Sequence, residues 1–486
     1  MTTPARSVAL VTLGCTRNEV DSEELAGRLA AQGWELVEDA ADADVAVVNT
    51  CGFIEQAKKD SIDTLLEASE LKSTGRTQAV VAVGCLAERY GRELAEELPE
   101  ADAVLGFDSY ADLSGHLQAI LEGERPASHV PTDRRRLLPL TPAARAEVRD
   151  TVAVPGMGQA AALVDEAALG SVAPASGPPV IRARLDDRPW APLKIASGCD
   201  RRCAFCAIPR FRGAFVSRHP DEVVAEARWL AERGVREVFL VSENSTSYGK
   251  DLGDLTALES LLPRLAAIDE LDWVRVSYLQ PAEIRPGLLE AMVATEKVLP
   301  WFDISFQHAS GPLLRRMRRF GGTDDFLALI ERVRALSPQA AIRSNVIVGF
   351  PGETPDDVAE LQDFLTAARL DVVGVFGYSD EDGTEGIGMP GKVAEDVIAE
   401  RVAEITDLVE QLTADRAAER VGEQIQILIE GHDDDDPQVA TGRAAIQGPD
   451  IDGITTIADG ADLRAGDLVQ GRVVASQGAD LEAVRL

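Results

Sequence analysis

Four short apolar runs in this chain end in cysteine: SVALVTLGC at Cys15, DVAVVNTC at Cys51, AVVAVGC at Cys85 and LKIASGC at Cys199. Each reads as a β-strand, and helical patterns such as DSEELAGRLAAQG alternate with them. Strand–helix alternation of this kind builds a parallel sheet, and open α/β sheets gather their functional groups at the carboxyl ends of the strands. The pattern therefore constrains position as well as fold. Cys15, Cys51 and Cys85, each more than thirty residues from the next, are expected to converge on one sheet edge. The competing reading is three unrelated buried thiols, a common fate for free cysteine.

Cys199 opens the stretch GCDRRCAFC, in which Cys199, Cys203 and Cys206 form a CxxxCxxC loop; these and the three upstream residues are the only six cysteines. Three thiolates on one loop can hold three irons of a [4Fe–4S] cluster and leave the fourth without a protein ligand. That spacing points to chemistry at an open iron rather than to electron carriage. A disulfide framework fits poorly, because the chain is long, cysteines are few and the amino terminus reads as a first strand, not as a signal peptide. Structural zinc competes for the loop, but it takes two CxxC pairs or a Cys/His set, and the nearest histidine, His219, sits at the expected start of the next helix. The three upstream cysteines describe a second cluster site.

The 486 residues suffice for two to four domains. With 45% hydrophobic residues and no run of membrane-spanning length, a soluble protein is expected, and free thiols with an oxygen-sensitive cluster fit the cytoplasm. The net charge of −34 argues against broad contact with nucleic acid, whose phosphates are bound by Lys and Arg, and suits a basic protein partner; simple solubility is the alternative.

Four segments follow. Residues 1–125 read as the parallel α/β domain with the second cluster. Residues 126–188, rich in Ala, Pro and Gly, read as a largely mobile linker or insertion, with a short helix around Ala160–Ala168 and solvated arginines at Arg134–Arg136. Residues 189–416 carry about six βα units, a barrel or partial barrel of the (β/α)6 kind, with Cys199, Glu243, Asn244, Gln307, His308 and Gly349 at strand carboxyl ends. Residues 417–486 read as five short strands of a small antiparallel, OB-like β-barrel. Five basic against fourteen acidic side chains there, including Asp433–Asp436, disfavour nucleic acid as its ligand.

CxxxCxxC with Phe205 before the last cysteine resembles the radical S-adenosylmethionine superfamily. The order of domains resembles the methylthiotransferases within it, whose last domain is a TRAM-type barrel. The matching segments are LGCTRNEVDSEELAGRL, NTCGFI, VGCLAERY, SGCDRRCAFCAIPRFRG, VSENSTSYGKD, FDISFQHAS, IVGFPGET and FGYSDEDGT. Two branches compete. The MiaB type modifies isopentenyl-adenosine in tRNA; the RimO type modifies an aspartate β-carbon in small-subunit ribosomal protein twelve. NEVDSE and QHAS resemble the RimO type, and the acidic barrel agrees, since ribosomal proteins are basic and tRNA is a polyanion.

The resemblance implies an enzyme in which Cys199, Cys203 and Cys206 hold the catalytic cluster and one S-adenosylmethionine is cleaved to a 5′-deoxyadenosyl radical. Cys15, Cys51 and Cys85 hold the second [4Fe–4S] cluster, and a further S-adenosylmethionine gives the methyl group. Gly349, Pro351 and Gly352 form a turn that either approaches the cofactor's adenosine or merely links strand to helix. Glu243 is the candidate for the cofactor's ammonium group, although the family usually shows Gln-Asp where this chain has Glu243-Asn244. His308 is either a cavity residue or a satisfied core histidine. The implied partners are ribosomal protein twelve or the small subunit and an electron donor protein; no membrane is expected from the apolar runs, and a monomer is the default expectation. A non-catalytic iron–sulfur protein that docks on the ribosome or senses redox state is the alternative from another class.

Overall fold

Strands that are apolar along their whole length need cover on both faces. The computed structural model, which describes residues 6–138, 141, 144–145 and 182–486, provides it. In the N-terminal domain β1 (Ser7–Thr12), β2 (Glu35–Leu36), β3 (Val45–Thr50), β4 (Ala79–Val83) and β5 (Ala103–Val104) form one parallel sheet in the order β2-β1-β3-β4-β5. Every residue of β3 and β4 is buried, and alternate side chains feed two separate apolar cores. The order matters for the cysteines. Cys15, Cys51 and Cys85 follow β1, β3 and β4, which are neighbours in the sheet.

The central domain begins with β6 (Trp190–Lys194), followed by a small ribbon, β7 (Ala196–Ser197) paired antiparallel with β8 (Val216–Ser217). This ribbon closes the base of the CxxxCxxC loop. Next come β9 (Glu237–Val241), β10 (Trp273–Val276), β11 (Trp301–Asp303), β12 (Ala341–Val348) and β13 (Val372–Gly377). β6, β9 and β10 run parallel, as do β11, β12 and β13, and the bridge Leu279↔Ile304 joins the two halves. Helices such as Pro220–Ala231, Thr323–Leu336 and Pro355–Ala368 pack outside them on one large core. This is the six-stranded partial barrel that the βα rhythm implies.

The helix Glu395–Ala418 leads to a closed barrel of β14 (Gln424–His432), β15 (Ala440–Ala444), β16 (Thr455–Ile457), β17 (Leu468–Gln477) and β18 (Asp480–Arg485). It seals the amino-terminal ends of the central strands. Leu428 packs with Trp190, Trp273, Trp301 and Ala341, the first residues of β6, β10, β11 and β12. Glu237, first in β9, is fully buried between Arg275 and Arg443, and Trp301 Nε1 donates to Asp452 Oδ2 at 2.7 Å. The strands' carboxyl ends are left to face the N-terminal domain.

The segment between the two α/β domains departs from expectation where it is described. Arg134, expected to be solvated, is 3% exposed, because it pairs with Glu88 and Asp108 and lies over the Phe107 ring; Arg135 and Arg136 are exposed. At the other end Arg182 is buried between Glu23 of the first domain and Glu226 of the second. The helix expected around Ala160–Ala168 lies outside the described residues. Among the described residues no helix is long and apolar enough to cross a membrane.

Candidate active site at the domain interface

Three of the four strand-to-cysteine turns are built with glycine; at Cys51 the preceding residue is Thr50. Gly14, Gly84 and Gly198 precede Cys15, Cys85 and Cys199, and all three have positive φ, at 92°, 92° and 78°. Space forbids a side chain as well: a Cβ on Gly14 would lie 2.8 Å from Cys51 Cβ and Sγ, and one on Gly198 would strike the Ala214 carbonyl. This recurring Gly-Cys pair was visible in the sequence, and sequence reasoning gave it no role.

All six cysteines are free thiols. Cys15 caps the helix Thr16–Ala31, from which Arg17 and Asp21 also project. Burial drives the Cys15 thiol up, but the Arg17 and Arg212 guanidiniums outweigh it and leave the thiol below its ordinary value. Cys51 is raised, by burial and then by Cys15. Cys85 is pushed up to about 12 by burial, although Arg212 Nη2 donates to its Sγ at 3.1 Å. In the second set burial raises Cys199 and takes Cys206 to about 12. Neighbouring cysteines push both further up, so these thiolates need a bound cation to be stable.

Between the domains lies a cavity of about 470 Å³. Cys199, Cys203 and Cys206 line it, with Arg17 and the start of the helix Glu55–Thr74 with the two residues before it from the first domain, and Phe205, Tyr278, Gln307, Ile347 and Phe376 from the second. Cys15, Cys51 and Cys85 are not in its wall. Glu243 is, with its side chain 2% exposed, and among the described residues neither carboxylate oxygen accepts a hydrogen bond; Arg17 and Arg212 stand 3.9 and 3.8 Å away. Arg17 Nε, Arg201 Nε and Arg212 Nη1 are likewise buried with no hydrogen-bond partner among the described residues. A buried, unbonded carboxylate beside three metal-seeking thiols in a cavity of this size fits a cluster and a ligand bearing an ammonium group.

The remaining candidates sit elsewhere. Asn244 Nδ2 donates to Glu283 at 2.7 Å and Ser247 at 2.9 Å, outside the cavity wall. Gln307 reaches the cavity from a strained backbone position at φ 73°. His308 is fully buried; its Nδ1 accepts from Ser310 N at 3.0 Å and its Nε2 stands 3.4 Å from Glu353. Gly349, Pro351 and Gly352 do not line the cavity. Ile398 covers Gly349, the Pro351 carbonyl accepts from Arg316 at 2.9 Å, and Gly352 N donates to Gly391 at 2.7 Å.

Sequence reasoning missed the arginines that join the domains. Arg212, six residues after Cys206, donates to Asn18 at 2.7 Å and Asp21 at 3.0 Å as well as to Cys85. Arg17 donates to the Ser242 carbonyl at 3.2 Å and stacks over Tyr278. Lys194, at the end of β6, pairs with Asp21, both almost fully buried.

Three domain models match in this order: the "Uncharacterized protein family UPF0004" over residues 7–106, the Radical SAM superfamily over 193–365 and the TRAM domain over 421–485. Among solved structures, the radical S-adenosylmethionine methyltransferase TsrM from Kitasatospora setae shares the fold, with a TM-score of 0.52 and 17% identity over 76% of this chain and 73% of that one. A ribosomal protein uS12 methylthiotransferase RimO from Kineococcus radiotolerans is 65% identical over 99% of this chain and 97% of its own length. The proteins of that name from Streptomyces griseus and Cutibacterium acnes are 61% and 58% identical, each over 98% of this chain and 97% of their own. Identity at this level, over nearly the whole length of this chain and of its relatives, makes the chain a member of the RimO family of ribosomal protein uS12 methylthiotransferases.

Proposed function

We propose that this chain attaches a methylthio group to an aspartate β-carbon of ribosomal protein uS12 and that the cavity between its two α/β domains is where it does so. It is a radical S-adenosylmethionine methylthiotransferase that works with S-adenosylmethionine and [4Fe–4S] clusters. The observation that carries the siting is the pairing of Cys199, Cys203 and Cys206 with the unbonded Glu243 carboxylate in one cavity.

When bound, the clusters and S-adenosylmethionine supply one-electron reduction, hydrogen-atom abstraction, sulfur and the methyl group, chemistry no side chain provides. The chain's residues do the rest. Cys199, Cys203 and Cys206 would hold the cluster that cleaves S-adenosylmethionine, three thiolates being one ligand fewer than its four irons. Glu243 accepts hydrogen bonds from its ammonium group. Phe205, Ile347 and Phe376 give the cavity an apolar wall that excludes water from a reactive intermediate. Cys15, Cys51 and Cys85 hold the second cluster, with Arg17 and Arg212 between the two sets. The turn at Gly349, Pro351 and Gly352 shapes the fold behind the cavity rather than touching the cofactor. Asp433–Asp436, all exposed on the C-terminal barrel, offer charge complementary to a basic ribosomal protein, free or in the small subunit, and repel tRNA. The protein works in the cytoplasm as a monomer, reduced by a separate electron donor protein.

The test is intact mass spectrometry of uS12 after incubation with reconstituted enzyme, reductant and S-adenosylmethionine. A gain of about 46 Da, one hydrogen replaced by a methylthio group, is expected. Unmodified uS12 alongside modified tRNA would move the chain's activity to the other branch.

A further inference from the structure

A basic patch stands out against the acidic charge of the chain. A second hollow, of about 850 Å³, also has Cys199, Cys203 and Cys206 in its wall but none of the residues from β10 to β13 that line the first cavity. Its rim is basic. Among the described residues eight Arg and Lys line it against three acids, and each of these acids is paired: Asp133 with Arg135, Asp200 with Arg145, Glu385 with Arg318. Arg202, Arg210, Arg136 and Lys250 are exposed and in no ion pair among the described residues. In a chain of net charge −34 this collar surrounds the CxxxCxxC loop assigned to the catalytic cluster.

A basic substrate such as a ribosomal protein is repelled by such a collar, so the collar suits an anionic partner. At physiological salt charges are screened beyond about 8 Å, so a small partner feels the collar and not the distant acidic surface. A long polyanion would extend past it onto that surface. We infer that the basic collar around the CxxxCxxC loop is the docking face for a small acidic one-electron carrier protein, an inference that rests on assigning Cys199, Cys203 and Cys206 to the catalytic cluster. At each encounter the carrier is oxidised by one electron and the cluster reduced by one, with no bond or proton exchanged between the proteins. Cofactor and carrier then approach the same three thiols from two sides, so reduction can occur while the cavity is occupied.

The experiment uses the cluster-loaded full chain with a reduced flavodoxin, an acidic flavoprotein, as the probe carrier. The variant is the triple reversal R136E/R210E/K250E, with the milder R136Q/R210Q/K250Q as a second. Two quantities are read: the Kd for flavodoxin by titration calorimetry, and the KM for flavodoxin in 5′-deoxyadenosine formation. Both are expected to rise about tenfold or more in the reversal and less in the glutamine variant, with a flatter salt dependence. Cluster absorbance and the rate with dithionite, which needs no docking, are expected to stay at native values. An unchanged Kd for flavodoxin overturns the inference. So does a result in which labelled RNA, and not flavodoxin, loses affinity for the variants, which would make the collar an RNA site. If the native chain cleaves no S-adenosylmethionine even with dithionite, the cluster assignment has failed, and the Kd still reads the collar by itself.

Discussion

Arg212, a residue of the radical domain, donates from Nη2 to the Sγ of Cys85 in the N-terminal domain at 3.1 Å. Hydrogen bonds to ligand sulfurs raise a cluster's reduction potential by stabilising the reduced, more negative state, and a charged donor does so more strongly. Arg212→Gln is expected to lower the potential of the N-terminal cluster by roughly 60 mV, one tenfold step in a one-electron equilibrium. The cluster at Cys199, Cys203 and Cys206 should keep its potential. An EPR-monitored redox titration of both clusters in one sample decides it, and equal shifts in the two would mean that Arg212 acts on the fold instead.

The same guanidinium shares Asp21 with Lys194, and this group ties the domains together. Burial raises the Asp21 carboxyl, but Lys194 and then Arg212 more than offset it, so its pKa lies below the ordinary carboxylate value. For a depressed pKa the stabilisation is present above the unfolded value, about 4, and fades as pH falls through the lower folded value. Asp21→Asn is therefore expected to cost roughly 3–5 kcal/mol at pH 7, since it leaves a buried ammonium without its carboxylate. The gap to the native chain should narrow below about pH 4. Urea midpoints at pH 7 and pH 3 measure both; a gap of constant size across that range would contradict the ionic account.

How far the sequence reached depends on what kind of contact is asked about. The cysteines at Cys15, Cys51 and Cys85 were legible, because strand ends in a parallel sheet share an edge whatever the strand order. That β1, β3 and β4 stand side by side, with β2 outside β1, was not, because pairing order comes from tertiary packing. Arg17, Arg212 and Lys194 were invisible for a related reason: their partners belong to another domain, and no local pattern connects Arg212 to a cysteine 127 residues away. Arg134 was misread for the same cause, since its run of three arginines looks solvated until Glu88 and Phe107 are folded against it. The C-terminal barrel was legible strand by strand, but not its seat beneath the central strands, which depends on Leu428 and Arg443 meeting residues first in their own strands.

Gly349 separates two readings of its turn. It has φ 80°, and a Cβ there would lie 2.5 Å from Ile398 Cγ1 on the helix Glu395–Ala418. Left-handed strain and overpacking each cost about 1–3 kcal/mol, so Gly349→Ala should destabilise the chain by roughly 2–5 kcal/mol. The affinity of the folded fraction for S-adenosylmethionine should not change. Thermal melts paired with cofactor binding at low temperature test this. A stable variant with weakened binding would bring the turn back to the adenosine.

Under the proposed siting, Glu243 is the side chain whose loss should weaken cofactor binding most. Its carboxylate is buried at the cavity wall and unbonded, with Arg17 and Arg212 near 4 Å; Gln there would keep shape and volume but lose the charge. A charge-assisted hydrogen bond contributes about 1.5–3 kcal/mol, so Glu243→Gln should weaken S-adenosylmethionine binding roughly 10- to 100-fold, with both clusters retained. A competing role is structural, because the carboxylate also lies between two arginines that arrive from different domains. The two roles part on the ligand. If Glu243 binds the ammonium group, an S-adenosylmethionine analogue lacking it should bind the native chain and the variant equally, while the intact cofactor tells them apart. If Glu243 only steadies the arginines, both ligands should weaken together and the melting temperature should fall with them. Equilibrium dialysis with the two ligands, beside a melt of each protein, reads out which holds.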